Sequence, residues 1–290
     1  MESSLTQING QFPLVMGLVP AYNAMNFILP TLESLAAQTY PNFQVVVCDD
    51  ASTDSTFELC ERFAKTHPNF RVFRNKENLG WLKTSELLWE IGARESVFCF
   101  SNPHDDHPLP AYVSNLVNLL QDEPKAVVAI PGMRNNYSDG VVIDSFFSAV
   151  SGPVDLSSRI LMLANRQVHH WWSAYHGLHR STAVAKILPI KSLPFGEPEY
   201  SVDLIWIIKM AIQGEFITNN QIDLIKYYRT ESVSAKWRKG IINRLALWVA
   251  IIQELKKADI PRSETKKIQI QMLRLLEEKI KRRLPFYRKR

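Results

Sequence analysis

No apolar run in the chain is long enough to cross a membrane. The longest strictly apolar stretch near the C-terminus, Leu245 to Ile252, is far shorter than the roughly 20 residues a spanning helix needs. Met1 to Gln11 is polar and lacks the basic-then-apolar pattern of a cleaved leader, so no signal peptide is expected. Cysteine is scarce: Cys48, Cys60 and Cys99 are odd in number and show no metal-type spacing, which predicts reduced core thiols and a cytoplasmic location. No internal repeat or low-complexity stretch is visible. The remainder is ordinary for a globular protein, with 290 residues, 46% hydrophobic and 22% charged. That bounds the chain at one large domain, or one domain with an appendage, and ample core.

Two short apolar blocks each lead into a pair of aspartates. Phe43 to Cys48 runs into Asp49-Asp50, and Ser96 to Ser101 is followed three residues on by Asp105-Asp106. β-Branched and aromatic blocks bounded by turn formers predict buried strands of a parallel sheet. Ligands bind at the carboxyl ends of such strands. Two carboxylate clusters there repel unless a cation or polar ligand separates them. Hard divalent ions take such oxygen ligands and bring phosphates with them.

Helical segments alternate with these blocks. Leu14 to Leu18 predicts a first strand, and Pro20 to Asn23 a loop. A helix is expected over Phe27 to Gln38, with Pro30 tolerable near its first turn. Ser52 to Ser55 supplies N-cap candidates for a helix from Thr56 to His67. Phe70 to Phe73 predicts a strand, Leu82 to Ala93 a helix and Pro110 to Gln121 another. The βαβα order argues for a doubly wound α/β sheet.

The segments that carry chemistry resemble family-2 glycosyltransferases of the GT-A fold. The resemblance rests on Val15 to Asn23, on Ser34-Leu35-Ala36-Ala37-Gln38-Thr39-Tyr40-Pro41 and on Val45 to Thr56. Asn78-Leu79-Gly80-Trp81 and Asp105-Asp106 to Pro110 continue it in order. It covers residues 13–130 well and 170–235 loosely. It implies a GT-A, Rossmann-like, mostly parallel sheet flanked by helices, with a C-terminal helical extension. The expected division is a GT-A domain over 1–235 and a basic helical tail over 236–290. Within the domain, 13–130 would bind the nucleotide sugar and 131–235 the acceptor.

The resemblance also implies roles. Pro20, Ala21, Tyr22, Asp50, Asn78 and Gly80 would hold the nucleotide, with Tyr22 packing on the base and Asp50 accepting from a base N–H. A plain surface tyrosine is the other reading of Tyr22, and helix capping that of Asp49 and Asp50, although Asp54 can supply the cap. Asp105 and Asp106 match the family's Asp-x-Asp-Asp metal motif, expected to bind Mn²⁺ or Mg²⁺. Pro103 stands in place of its first aspartate, and His104 occupies the next position. The tetrad His104 to His107 also invites a metallohydrolase reading, for which no further ligands lie at compatible spacing. In Tyr200 to Trp206, Asp203 matches the family's general base and Val202 replaces the preceding Glu. A first-turn residue favoured by the helix dipole is the alternative for Asp203.

Trp171, Trp172 and Tyr175 are acceptor-side candidates, with packing as the alternative. His169, His170, His176 and His179 lie among them without acidic neighbours, which favours hydrogen-bonded histidines over a metal cluster. Arg229, in Tyr227 to Ser232, is the candidate for offsetting diphosphate charge, a surface ion pair being the other reading. The implied activity is an inverting transfer from a nucleotide-diphosphate sugar to a saccharide or lipid-linked acceptor, as in surface polysaccharide or glycolipid assembly. A nucleotidyltransferase of related fold is the runner-up enzyme class, although Pro20 to Asn23 lacks the Gly-rich basic loop it usually shows after strand one. A non-catalytic nucleotide-sugar-binding module with a degenerate site is the other alternative.

Charge is unevenly spread. Lys236 to Arg290 holds 17 Lys+Arg against 5 Asp+Glu, whereas the preceding 235 residues hold 17 against 24. Two amphipathic stripes are read in the tail: Ile241, Leu245, Trp248, Ile252 and Leu255, then Ile268, Met272, Leu275 and Leu276. Pro261 marks the turn between them. The cations and aromatics of 281–290 suit an anionic membrane surface, giving a peripheral protein at the inner face. No nucleic-acid partner is expected, because the body is acidic.

Overall fold

The computed structural model describes residues 11–148, 150–168, 170–229 and 240–281. Its centre is a parallel ladder. β1 (Val15–Ala21) lies between β2 (Phe43–Asp49) and β4 (Phe98–Ser101), and β3 (Phe70–Arg74) extends the edge beside β2. The crossovers are α1 (Ile28–Ala36), α2 (Thr56–Ala64) and α3 (Trp81–Glu95). Pro30 sits in the first turn of α1, where its missing N–H costs nothing. Side chains along β1 alternate between layers, as a period of two requires. Val15 and Val19 face the α1, α2 and α4 (Tyr112–Asp122) layer, and Met16 and Leu18 face the opposite one.

Beyond β4 the sheet changes character. Among the described residues it has nine strands, in the order β3-β2-β1-β4-β8-β6-β9-β5, with β7 (Val142–Ser145) paired to β6. β8 (Leu178–Arg180) is antiparallel to β4 and to β6 (Ala126–Tyr137). β9 (Glu215–Tyr228) runs parallel to β6 and antiparallel to the two-residue β5 (His107–Pro108). The α/β class and flanking helices agree with expectation, and the mixed half brings the end of β9 beside the Asp105-Asp106 loop.

The tail belongs to the core. α8 (Ile241–Lys257) and α9 (Arg262–Lys281) pack on α7 (Val202–Gln213) and α5 (Leu156–Ala164). Ala246, Leu247, Ile251, Leu255, Ile268 and Met272 are all 3% exposed or less and join the sheet's own apolar cluster. Of the stripe read for α8, Trp248 and Leu255 are buried and Ile252 packs against the cluster, whereas Ile241 is exposed; Asn243, Leu247 and Ile251 also face inward. Ser157 of α5 and Glu264 of α9 are joined by a hydrogen bond. Residues 282–290, where the membrane-facing run was read, lie outside the described residues. All three cysteines are free and buried, with burial pushing each thiol up to about 12, so none is reactive at neutral pH.

Candidate active site

Three loops at the carboxyl ends of the parallel strands are bonded into one surface. The Asn23 N–H donates to Ser52 Oγ (2.9 Å), and Asn23 Oδ1 accepts the Thr53 N–H (2.9 Å). The Ala24 N–H donates to Thr56 Oγ1 (2.7 Å) and the Met25 N–H to Asp54 Oδ2 (3.2 Å). Asp54 Oδ1 also accepts the Thr56 N–H at 3.0 Å, so this residue serves the start of α2. Asp49 instead meets Arg74 (Nε to Oδ2, 3.1 Å) and the Ser52 N–H.

Asp50 carries the third loop. Its Oδ1 accepts from the Leu79 N–H and Asn75 Nδ2, both at 2.8 Å, and its Oδ2 accepts the Gly80 N–H at 2.9 Å. Gly80 has φ +82°, a conformation that penalises any Cβ. The Asn78-Gly80 turn therefore stands where the Asp50 carboxylate, just after β2, holds it, a coupling the sequence did not reveal. Asn78 Oδ1 accepts the Gly80 N–H as well. Pro20 and Ala21 end β1, and Tyr22 after them is 43% exposed, leaving its ring open for stacking.

The two aspartates after β4 point different ways. Asp106 is 0% exposed, with Lys226 Nζ 2.8 Å from Oδ2 and the Tyr227 N–H donating to Oδ1 at 3.3 Å. Burial pushes its carboxyl up, and Lys226 opposes that. His176 Nδ1 lies 3.8 Å away, but burial first and Lys226 second hold that ring well below the ordinary histidine range, so it stays neutral. Asp106 is thus held inside the fold by Lys226 and the Tyr227 N–H. Asp105 keeps a partly open face and meets Arg229 (Nε to Oδ2, 3.3 Å), whose guanidinium stacks on the Phe27 ring at 3.7 Å.

Among the described residues no three His, Cys, Asp or Glu side chains converge to hold a metal ion. The donor set fits a magnesium-type ion that arrives with a diphosphate, because such ions take one or two carboxylates and draw the rest from phosphate and water. Asp105 is the carboxylate placed for that. His104 Nδ1 lies 3.3 Å from the Pro20 carbonyl, which can only accept, so that nitrogen carries the proton.

The second half supplies the facing wall. Asp203 opens α7, preceded by Ser201 at φ 53°. Burial pushes its carboxyl up to about 6, against the Leu204 N–H, Arg166 and Lys226, which favour the charged form. Lys226 therefore acts on Asp203 as well as on Asp106. Tyr175 turns its hydroxyl inward to accept from Trp89 Nε1 (3.2 Å), and its ring packs edgewise on Trp89 and Trp206. That makes it part of the floor. Trp171 and Trp172 are half-buried and meet edge to face. His179 is buried against Trp206, and burial lowers its pKa to about 3. His169 lies outside the described residues.

The sequence reading missed Lys226, Arg74 and Asn102. Asn102 Nδ2 donates to the carbonyls of Pro103 and Asp106 and so shapes the aspartate loop. Lys226 adjoins the Tyr227-Arg229 segment, and a buried aspartate in need of a cation was the available signal. Among the described residues, all five non-glycine positions at positive φ (Asn23, Ala51, Arg166, His170 and Ser201) lie in the loops around these two walls. Backbone strain gathers at functional sites in this way.

Comparison with known proteins agrees with this fold. An uncharacterized glycosyltransferase of Haemophilus influenzae is 30% identical over 115 residues, which are 38% of this chain and 33% of that protein. Glycosyltransferase GlyG of Streptococcus pneumoniae is 25% identical over 162 residues, 54% of this chain and 51% of that protein. The chain thus aligns with a third to a half of the length of these two curated relatives. The crystal structure of S. aureus TarS 1-349 in complex with UDP-GlcNAc superposes with a TM-score of 0.69 at 19% identity, covering 90% of this chain and 72% of that one. It shares the fold. The family model for glycosyl transferase family 2 matches residues 18–172, more than half of the sequence, and the chain belongs to that family.

Proposed function

We propose that the protein transfers a glycosyl unit from a nucleotide-diphosphate sugar to an acceptor hydroxyl, with inversion at the anomeric carbon. The observation that carries this reading is the position of Lys226. It pairs with Asp106 at 2.8 Å beside the Asp105-Arg229 pair, so two cations stand at the loop where the leaving group is expected. Tyr22 and the Asp50-held loop receive the nucleotide. Asp203 takes the acceptor's proton as its oxygen attacks the anomeric carbon, and the bond to the diphosphate breaks with its electron pair on the diphosphate oxygen. Arg229 leaves Asp105 to meet the new charge. A Mn²⁺ or Mg²⁺ ion held by Asp105 would add Lewis-acid stabilisation of that group.

The acceptor is a saccharide or lipid-linked sugar, and the basic run at 281–290 rests on an anionic membrane surface. Among the described residues no helix is long and apolar enough to cross a membrane. Pro103 and Val202, which depart from the family pattern, favour the competing reading of a non-catalytic binder. A screen of nucleotide sugars by thermal stabilisation, with and without Mn²⁺, tests the donor site. A ligand at 100 times its Kd adds about 2.7 kcal/mol. Absence of stabilisation by every nucleotide sugar and nucleoside diphosphate would end the proposal.

A further inference from the structure

Arg166 stands beside the proposed base without a carboxylate of its own. Arg74, Lys226 and Arg229 each face an aspartate. Among the described residues Arg166 makes no ion pair. Its recorded hydrogen bond runs from Nη2 to Ser201 Oγ at 2.8 Å, two residues before Asp203. A guanidinium has five N–H donors, so that bond leaves most of its capacity unused. The side chain is exposed. Its carbon centre lies 5.5 Å from the Trp171 ring and 6.0 Å from the Tyr200 ring.

The backbone also commits to this placement. Arg166 sits at φ 54° and Ser201 at φ 53°, so the hydrogen bond joins two residues in the left-handed region. A bulky side chain persists there only where the surroundings over-determine it. Glycine would occupy Arg166's position without strain, yet the chain places a long cation there. The cation, the Trp171 ring and Asp203 form one wall: a charge, an apolar plate for a sugar face, and a base.

We propose that Arg166 and Trp171 form an acceptor subsite that selects a sugar bearing an anionic substituent, either a carboxylate or a phosphate. The inference rests on the reading of Asp203 as the acceptor-side base. A guanidinium meets carboxylate and phosphate oxygens through paired N–H donors. The sugar ring lies against Trp171, and the anion reaches Arg166. That pose directs a free hydroxyl toward Asp203.

The test measures Kd by calorimetry for three probes: p-nitrophenyl glucuronide, glucose 6-phosphate and the neutral p-nitrophenyl glucoside. UDP and GDP binding is followed on the same samples. The wild-type protein is expected to bind at least one charged probe about 10–100-fold more tightly than the neutral one, the usual worth of hydrogen bonds to a charged group. The stronger arm identifies carboxylate or phosphate. Arg166→Gly, which relieves the positive φ and so favours folding, and Arg166→Gln should both erase the preference and leave UDP or GDP binding unchanged. Equal binding of all three probes by the wild type overturns the proposal, as does a preference retained in both variants. Failure of UDP and GDP to bind while the preference for anions persists removes the transferase reading and leaves the anion site standing.

Discussion

Replacing Asp203 by Asn keeps the shape of the side chain and its acceptor oxygen for the Leu204 N–H, but removes its capacity to take a proton. Two independent consequences follow. Transfer should fall by about 10²–10⁴-fold, the worth of a positioned base, while donor binding stays unchanged because Asp50 and Asp105 lie on other loops. The fold should gain stability. Burial raises this carboxyl from 3.8 to about 6, so the folded state holds the proton more tightly than the unfolded chain does. The penalty for ionising it is absent below pH 4, grows as pH rises and is complete above pH 6. The rise corresponds to about 3 kcal/mol, and the partly open face of the side chain trims this to about 1–2 kcal/mol. Asp203→Asn should therefore melt about 2–4 °C higher at pH 8 and match the wild type at pH 4. Wild-type transfer should decline as pH falls through about 6. Unchanged transfer in the variant would refute the base assignment, and loss of donor binding together with transfer would mark Asp203 as structural.

Asp105→Asn should abolish the Mn²⁺-dependent part of nucleoside diphosphate binding and leave the melting temperature close to wild type, since the residue sits in a loop; calorimetry with and without Mn²⁺ decides it. Lys226→Met leaves Asp106 charged and buried without its cation, a loss of about 3–5 kcal/mol, readable in urea unfolding; Lys226→Met with Asp106→Asn should recover most of it. Gly80→Ala should weaken nucleotide binding, because a Cβ at φ +82° pulls the turn off Asp50; unaltered binding would separate that turn from the donor site. A chain ending at residue 280 should stay folded yet lose salt-sensitive co-sedimentation with anionic liposomes, and equal sedimentation of both lengths would argue against the membrane reading.

The parallel half was legible because each strand reads locally. Val45-Val46-Val47 and Phe98 to Phe100 are compact apolar blocks between turn formers, and the helices between them carry their own periodicity. The long strands β6 and β9 were not. Pro131 and Gly132 interrupt β6, and both residues argue against a strand interior. Here they mark a register irregularity where β9 comes so close that a Cβ at Gly132 would collide with the Gln221 carbonyl. The candidate site was legible in the placement of its residues. Asp50, Asp105 and Arg229 come from motifs and lie in loops at strand ends, and Asp203 lies in the first turn of α7. Adjacent aspartates look alike in sequence, however, and only the partner 120 residues away shows that Asp106 turns inward to Lys226.

The bonds that join the loops after β1 and β2, and the Asp50 carboxylate that fixes the turn before α3, give the proposed nucleotide side a single bonded contour. On that proposal an arriving donor would find its contacts already in register. Little chain entropy is then lost on binding, and association need not wait for a loop to order. A contour of this kind discriminates by fit and cannot adapt to a misfit. Exchange of one nucleotide base for another by substitution at a single position is therefore disfavoured, since Asn23, Ser52, Asp54 and Asp50 hold one another in place. The proposed acceptor wall, built on Arg166, Trp171 and Asp203, has fewer such cross-links, Arg166 being tied to Ser201 by one hydrogen bond.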